Sequence, residues 1–427
     1  MSLIVKAGKM GKRVLKKFLP EEKHHVSYTR RIERVHTKER VVAMTFDDGP
    51  MDLPSSPDKS GGRALTDLLL DTLQEYHALG TFDVVGDTSE NYPDMAGKSG
   101  QADWGGVRYD HYPDINQDGR GGVVHNDRLV RRILHEGHQI TNHGYRHVLF
   151  GKKPFVYGKR DHFHGLDPVV ADLTRLHTLL QETYGYTMTM GRPPHYVDKI
   201  EGGFTSYDAY DQMGYLYLAA AFDGAGWLPI HHNTVQESLQ AEIAAMVEPM
   251  KRALEADPDA LAGQIIFQKD GYNMSRRTPV AFGLKQQLEL LQSYGYRVVT
   301  VEQLMADYSP FADVGREEPG FEKLVALQKT RGIVFSDNRL RLDDPMTWGE
   351  LAMLLAPRAE AIGRRVAKIR ETGTPQHANW GAMDWCAEQG ILKYAMDPDG
   401  TVSSLPSEFF GPAKDYTRRQ VYAAYRG

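Results

Sequence analysis

From Val41 to about Leu304 the chain alternates short apolar runs with amphipathic stretches, and this alternation limits the possible fold more than any other feature. Strands are predicted over 41–46, 81–86, 139–142, 187–190, 215–222, 264–267 and 297–301. Helices are predicted over 65–79, 129–134, 167–184, 235–254 and 281–294; in the first, Leu68, Leu69, Thr72 and Leu73 share one face. Gly80, Gly137, Gly185, Gly214 and Gly295 stand where helices should stop before the next strand. Repeated strand–helix units require a parallel sheet. Seven such units over about 250 residues suit a barrel better than an open sheet, with chemistry at the carboxyl ends of the strands.

The 427 residues exceed one ordinary domain. The expected division is a basic N-terminal arm over 1–40, a barrel over 41–308, and a smaller, mostly helical domain over 309–427. Residues 1–40 hold 12 Lys/Arg against 4 Asp/Glu. Such a stretch is either an arm for anionic wall polymer or lipid, or simply a solvated helix or tail. The overall net charge of -5 gives no reason to expect nucleic-acid binding. A single cysteine, Cys386, excludes a disulfide framework and a cysteine metal cluster. No apolar run reaches the ~18–20 residues of a membrane span, and residues 1–17 lack the apolar centre of a secretory leader. The alternation breaks over 91–124, read as an extended loop over the barrel mouth. Asp114 to Gly119 has the look of half a calcium loop. The acidic twelfth position is His125, which favours a polar turn. Trp104, Tyr109 and Tyr112 could stack on sugar rings or cover the barrel.

Thr45-Phe46-Asp47-Asp48-Gly49-Pro50 ends the first strand on two adjacent carboxylates. Side by side they are costly unless something positive holds one of them. His143-Gly144-Tyr145-Arg146-His147 follows another strand-like run. One carboxylate and two imidazoles make a three-ligand metal site with open positions, and leave the second carboxylate to act as a base.

These motifs resemble the polysaccharide deacetylase family, the NodB-homology carbohydrate esterases, over about residues 40–305. Three further segments add to the resemblance. Arg192-Pro193-Pro194 is similar to the family's Arg-Pro-Pro-Tyr, with His195 inserted before Tyr196. Asp223-Gly224-Ala225-Gly226-Trp227 is similar to Asp-x-x-Asp-Trp. Ile265 to Gly271 aligns with the last strand motif. The resemblance implies a distorted (β/α)7 barrel and one divalent metal, zinc by expectation, held by Asp48, His143 and His147. It implies Asp47 as general base, oriented by Arg192, and Tyr196, Asp223 and Trp227 along the substrate. Trp227 would wall the acetyl pocket, and a backbone N–H near Tyr196 would aid the oxyanion. The implied partner is an acetylated glycan, and the implied location is extracellular or the cell envelope.

Two departures bear on activity. Lys269 stands where the family has its acid histidine, and Gly226 replaces the acid that pairs with it. Lys269 could protonate a leaving amine, or instead pair with Asp223, Asp270 or a substrate carboxylate. The competing reading is a catalytically impaired carbohydrate-binding or wall-anchored protein. His162 and His164 could line the groove, bind metal, or serve only as loop residues.

After Tyr308, the stretch 311–355 is echoed in part by 380–425. Both run through Gly-Ile (332–333; 390–391) to a helix-capping threonine, Thr347 or Thr417. With Phe311-Ala312-Asp313-Val314 this loosely resembles S-layer homology repeats, which implies a tether to wall polymer. The second copy keeps Thr417-Arg418, whereas the first has Trp348 in place of the arginine. A plain helical appendage packed on the barrel is the alternative.

Overall fold

The computed structural model describes residues 26–55, 62–87, 90, 103–104, 107–108, 121–152, 162–273, 277–335, 337–390 and 416–425. Tyr109, Tyr112, the calcium-like stretch 114–119 and residues 1–25 lie outside them.

Val41–Asp47, buried along its whole length, forms the middle of a nine-stranded sheet. The strand order is Phe222–Asp223, Ile265–Lys269, Val41–Asp47, Gly80–Val84, Gln139–Asn142, Met190–Gly191, Leu216–Leu218 and Arg31–Ile32, with Arg297–Val299 beside the start of Val41–Asp47. Every pairing in it is parallel. The sheet curls into a half-barrel, which agrees with the expected distorted (β/α)7 barrel. Helices such as Leu65–Glu75, Leu166–Tyr184 and Val280–Ser293 bury Leu69, Leu73, Leu173, Leu176, Leu284 and Leu288 against it. In the first of them Leu69 and Leu73 of the predicted face are buried, whereas Leu68 and Thr72 are half-buried and Leu65 and Leu70 complete the packed side.

Part of the stretch expected as an arm does something more specific. Arg31–Ile32 pairs with Leu216–Leu218. Just beyond, Ile265 N donates to Glu33 O (3.0 Å) and Val35 N to Gly263 O (2.9 Å). Residues 31–35 therefore bridge the two ends of the curled sheet and satisfy edge groups that would otherwise stay open.

Several boundaries differ from expectation for local reasons. The 215–222 run splits into Leu216–Leu218 and Phe222–Asp223. Where the first of these ends, the carbonyls of Leu218 and Ala219 accept from the Arg192 guanidinium. The 187–190 run contributes only Met190–Gly191. Two helices lie outside the predicted ranges, Ser206–Met213 and Val301–Asp307; each starts at a capping box, Thr205 with Asp208 and Thr300 with Gln303, and the first stops at Gly214, as that glycine's position predicts. Gly80 closes no helix: the helix stops at Glu75 and Gly80 opens the next strand. A β-carbon there would lie 2.9 Å from the Phe46 ring, so this glycine permits close packing.

The C-terminal helices enclose their own apolar cluster, built on Phe311, Phe321, Leu324, Leu351, Met353 and Cys386. Val26–Ser27 pairs antiparallel with Val334–Phe335 and ties the chain's first described residues to this unit. The echo between halves has a structural counterpart: Thr347 and Thr417 both cap helices, with Glu350 and Gln420 completing the boxes. The buried Arg418 guanidinium reaches Glu350 at 2.6 Å, so an arginine of the second copy neutralises the capping acid of the first. The helix Arg358–Thr372 docks this unit on the barrel. Ile369 is buried in the barrel's apolar cluster, Arg370 meets Asp167 at 2.6 Å, and Arg365 pairs with Asp208. Among the described residues no helix is long and apolar enough to cross a membrane.

Candidate active site

Strand register builds the site. Lys269 lies level with Asp47, Asp47 with Asp83, and Asp83 with Thr141, across four neighbouring parallel strands. All stand at the carboxyl ends. His143 follows one residue after Asn142, so the turn after that strand delivers its imidazole to the same place.

Here Asp48 Oδ1 lies 3.3 Å from His143 Nε2 and 3.0 Å from His147 Nε2. Its other oxygen, Oδ2, lies 2.6 Å from Lys269 Nζ. Asp47 is held differently. Oδ1 pairs with Arg192 Nη1, and Oδ2 lies 3.8 Å from His143 Nε2. Arg192 is fully buried; it donates to Thr45 Oγ1 (3.0 Å), Leu218 O (3.3 Å) and Ala219 O (3.3 Å). The rings of Tyr196 and Phe267 lie 5.4 and 5.5 Å from its guanidinium carbon.

The expected residues thus divide into two groups. Asp47, Asp48, His143, His147, Arg192 and Lys269 converge in one buried cluster, with the half-exposed Tyr196 ring over Arg192. Asp223 and Trp227 form a separate pair on the next strand end, with the indole N–H donating to the Asp223 carboxylate at 3.0 Å. Trp227 is 42% exposed, so its face is open to a ligand. The amide N–H of Tyr196 donates to Pro193 O (2.9 Å) and is therefore engaged within its own turn.

Sequence reasoning passed over Asp83. Its Oδ2 lies 2.9 Å from His143 Nδ1, and its Oδ1 accepts from Thr141 Oγ1 at 2.6 Å. An acid inside the apolar run Thr81-Phe82-Asp83-Val84-Val85 was the available signal, because a buried carboxylate needs a partner. Asp172 was also missed: it accepts from the Tyr145 amide (2.7 Å) and from Arg146 Nε (3.0 Å), which fixes the turn carrying His147. Asp270 is buried behind the Gly49 turn and accepts from Thr66 Oγ1 at 2.7 Å. A β-carbon on Gly49 would lie 2.0 Å from an Asp270 oxygen, so only glycine fits between them. His195 brings its ring to 5.2 Å from that of His147. Asp48, His147, His195 and Tyr196 all have left-handed backbones, with φ of 83°, 53°, 55° and 54°. Strain of this kind is sustained only where the surroundings hold it.

The donor set fits a divalent metal. The ligand atoms of Asp48, His143 and His147 all lie within 4.8 Å of one another, and all three residues are buried. His143 Nδ1 sits 2.9 Å from Arg192 O; donation there leaves Nε2 as the free ligand atom, as metal-binding histidines commonly do. Charge points the same way. Asp47 and Asp48 are held by the permanent cations Arg192 and Lys269, and Asp83 lies beside the His143 imidazole. Burial disfavours the His143 imidazolium, but the Asp83, Asp47 and Asp48 carboxylates outweigh it and hold the group well above the usual imidazole range. Burial pushes the Asp47 carboxyl up to about 7, against the lowering pull of Arg192 and His143.

Around Lys269 the space of the missing acid is filled. A β-carbon on Gly226 would lie 2.9 Å from Gln268 Oε1, and Gln268 Nε2 donates to Gln287 Oε1 at 2.5 Å. A longer side chain at 226 would displace Gln268.

Known proteins similar to this chain are polysaccharide deacetylases. Residues 34–197 match the polysaccharide deacetylase family. The curated peptidoglycan-N-acetylmuramic acid deacetylase PdaC of Bacillus subtilis is 22% identical over 282 residues, 66% of this chain and 42% of that protein. The peptidoglycan-N-acetylglucosamine deacetylase PgdA of Listeria monocytogenes is 21% identical over 303 residues, 71% of this chain and 46% of that protein. The chain thus spans less than half the length of these curated relatives. Among solved structures, the chitin deacetylase of Colletotrichum lindemuthianum is 18% identical and aligns with 65% of this chain and 92% of its own, with a TM-score of 0.42.

Proposed function

We propose that the chain is a metal-dependent hydrolase that removes acetyl groups from an N-acetylated, or O-acetylated, cell-wall glycan. The convergence of Asp48, His143 and His147 with Asp47 beside them carries this reading. Those three residues would hold one divalent cation, with zinc the best match to the donor set. When bound, the cation supplies Lewis-acid polarisation of the acyl carbonyl and acidifies water.

The chain's own groups have separable tasks. Asp47 accepts the proton of the attacking water through the oxygen that Arg192 leaves free. Arg192 positions that carboxylate and favours its ionised form. The Lys269 ammonium, fixed on Asp48 at 2.6 Å, places positive charge where the histidine acid of the family would stand. It would be the proton source for a departing amine. Trp227 offers an exposed aromatic face to a sugar or acetyl group. The products are acetate and a free amine, or a hydroxyl if the bond is an ester. The relatives' names concern peptidoglycan, which makes peptidoglycan the first substrate to test and the cell envelope the expected place of action. Attachment of the C-terminal helices to wall polymer belongs to the same proposal.

The test is acetate release from peptidoglycan, acetylated chito-oligosaccharides and acetyl-xylan by the metal-loaded chain, alongside metal analysis of wild type and His143→Ala. Acetate release, with zinc lost from the variant, supports the proposal. Zinc bound with no acetate from any substrate overturns the hydrolase reading. That outcome favours the second one, a glycan-binding protein on the same scaffold, which rests on Lys269 and on the filled space at Gly226.

Metal affinity should depend on pH. Zinc must displace the proton that the carboxylates hold on His143, so affinity falls as pH falls. The expected slope is about tenfold per pH unit for each proton displaced. Because the His143 group lies well above its ordinary value, the slope should persist through neutrality. Titrations between about pH 6 and pH 8, around the ordinary imidazole range, check this. A flat affinity over that window would contradict a protonated His143.

A further inference from the structure

We propose that His162, His164 and Glu201 form a second site for a divalent transition-metal ion, outside the catalytic cluster. His162 Nε2 lies 2.8 Å from Glu201 Oε1, and His164 Nδ1 lies 2.9 Å from Glu201 Oε2. The two rings are 4.7 Å apart at 55°, and the three ligand atoms lie within 4.8 Å of one another.

Local structure explains the convergence. His162 is bridged to Leu149, and Phe163 N donates to Leu149 O at 2.9 Å, so these two residues run extended before the chain bends at His164. Alternation then puts His162 on one side and Phe163 on the other, and past the bend the His164 ring stands beside that of His162. Phe163 is buried, with the Arg146 guanidinium 5.0 Å from its ring centre. Glu201 comes from the turn of the hairpin formed by Lys199–Ile200 and Phe204–Thr205. That turn continues through Gly202 and Gly203, at φ of 83° and 91°. Both sides of the site are therefore fixed by backbone pairing, and only side chains need to adjust.

Two imidazole nitrogens and one carboxylate oxygen are a zinc-type donor set with an open fourth position, and a poor one for calcium or magnesium. Metal–ligand bonds of about 2.0–2.1 Å put tetrahedral ligand atoms about 3.3 Å apart. The present contacts of 2.8 and 2.9 Å run to the two different oxygens of Glu201, so an ion would replace these hydrogen bonds within a cluster whose ligand atoms already lie within 4.8 Å of one another. Leu149 is two residues beyond His147, and Glu201 is five beyond Tyr196. An ion here clamps the segment after the catalytic histidines to the hairpin after the substrate-facing tyrosine.

The test is equilibrium dialysis of the full chain against zinc, comparing wild type with His164→Ala and Glu201→Gln. Each variant should bind one fewer zinc equivalent, or bind that equivalent at least tenfold more weakly, with calcium failing to compete. The zinc-dependent rise in melting temperature should shrink in both. His143→Ala should remove a different equivalent, so failure of the catalytic site leaves this difference readable. The His164 side chain is 70% exposed, so its replacement leaves the fold intact. Unchanged zinc stoichiometry and affinity in both variants would overturn the proposal and leave the cluster as hydrogen bonds alone.

Discussion

Asp47→Asn is expected to lower acetate release by roughly 10²–10⁴-fold, the usual contribution of a positioned general base, while zinc remains bound. The reason lies in the division of labour between adjacent acids. Asp48 gives Oδ1 to the two imidazoles and Oδ2 to Lys269. Asp47 instead gives Oδ1 to Arg192 and leaves Oδ2 3.8 Å from His143, outside the Asp48–His143–His147 triad. Asparagine keeps the shape and can still accept from Arg192, but it has no basic oxygen. Burial raises the Asp47 carboxyl to about 7 in the metal-free chain. A divalent cation beside it would favour ionisation, so on the proposed reading this carboxylate would be charged at neutral pH in the loaded protein. Kinetics on an acetylated glycan, with zinc measured on the same samples, decide the matter. Equal rates in variant and wild type would remove Asp47 from catalysis; loss of zinc together with rate would make it a ligand.

The paired carboxylates were legible because they end the apolar run 41–46, and the two histidines because they follow a strand-like run at a spacing of four; a buried acid or imidazole at a strand end demands a partner. The barrel was legible from the period change between strands and helices. What escaped notice depended on register. Asp83 stands beside Asp47 only because Gly80–Val84 pairs in parallel with Val41–Asp47 at one particular offset. Asp172 lies on a helix and reaches the His147 turn through tertiary packing. Residues 31–35 carry too few apolar positions to read as a strand, yet they join the ends of the sheet. Thr205 and Thr300 carried capping signals in plain sequence, with an acid or amide three residues on. Thr300 was hidden inside the run read as a strand, 297–301.

Arg192→Met should destabilise the barrel by about 3–5 kcal/mol, the usual cost of removing one partner from a buried ion pair. The guanidinium is fully buried and cannot be replaced by water without opening the core. Its loss leaves the Asp47 carboxylate without its fixed cation, and leaves Leu218 O and Ala219 O without their Arg192 donors. Those two carbonyls lie at and just past the end of Leu216–Leu218, so that side of the sheet should loosen first. Arg192→Lys keeps the charge but cannot reach Asp47, Thr45 and both carbonyls at once, because an ammonium lacks the planar fork. It should fall between wild type and Arg192→Met. The double variant Asp47→Asn/Arg192→Met should recover part of the loss, with a coupling of about 1–3 kcal/mol between neighbours that share a hydrogen bond. Urea unfolding of the four proteins, all stripped of metal, measures the cycle. A coupling near zero would mean that Asp47 finds its compensation elsewhere, and the argument that Arg192 holds the base in place would fail.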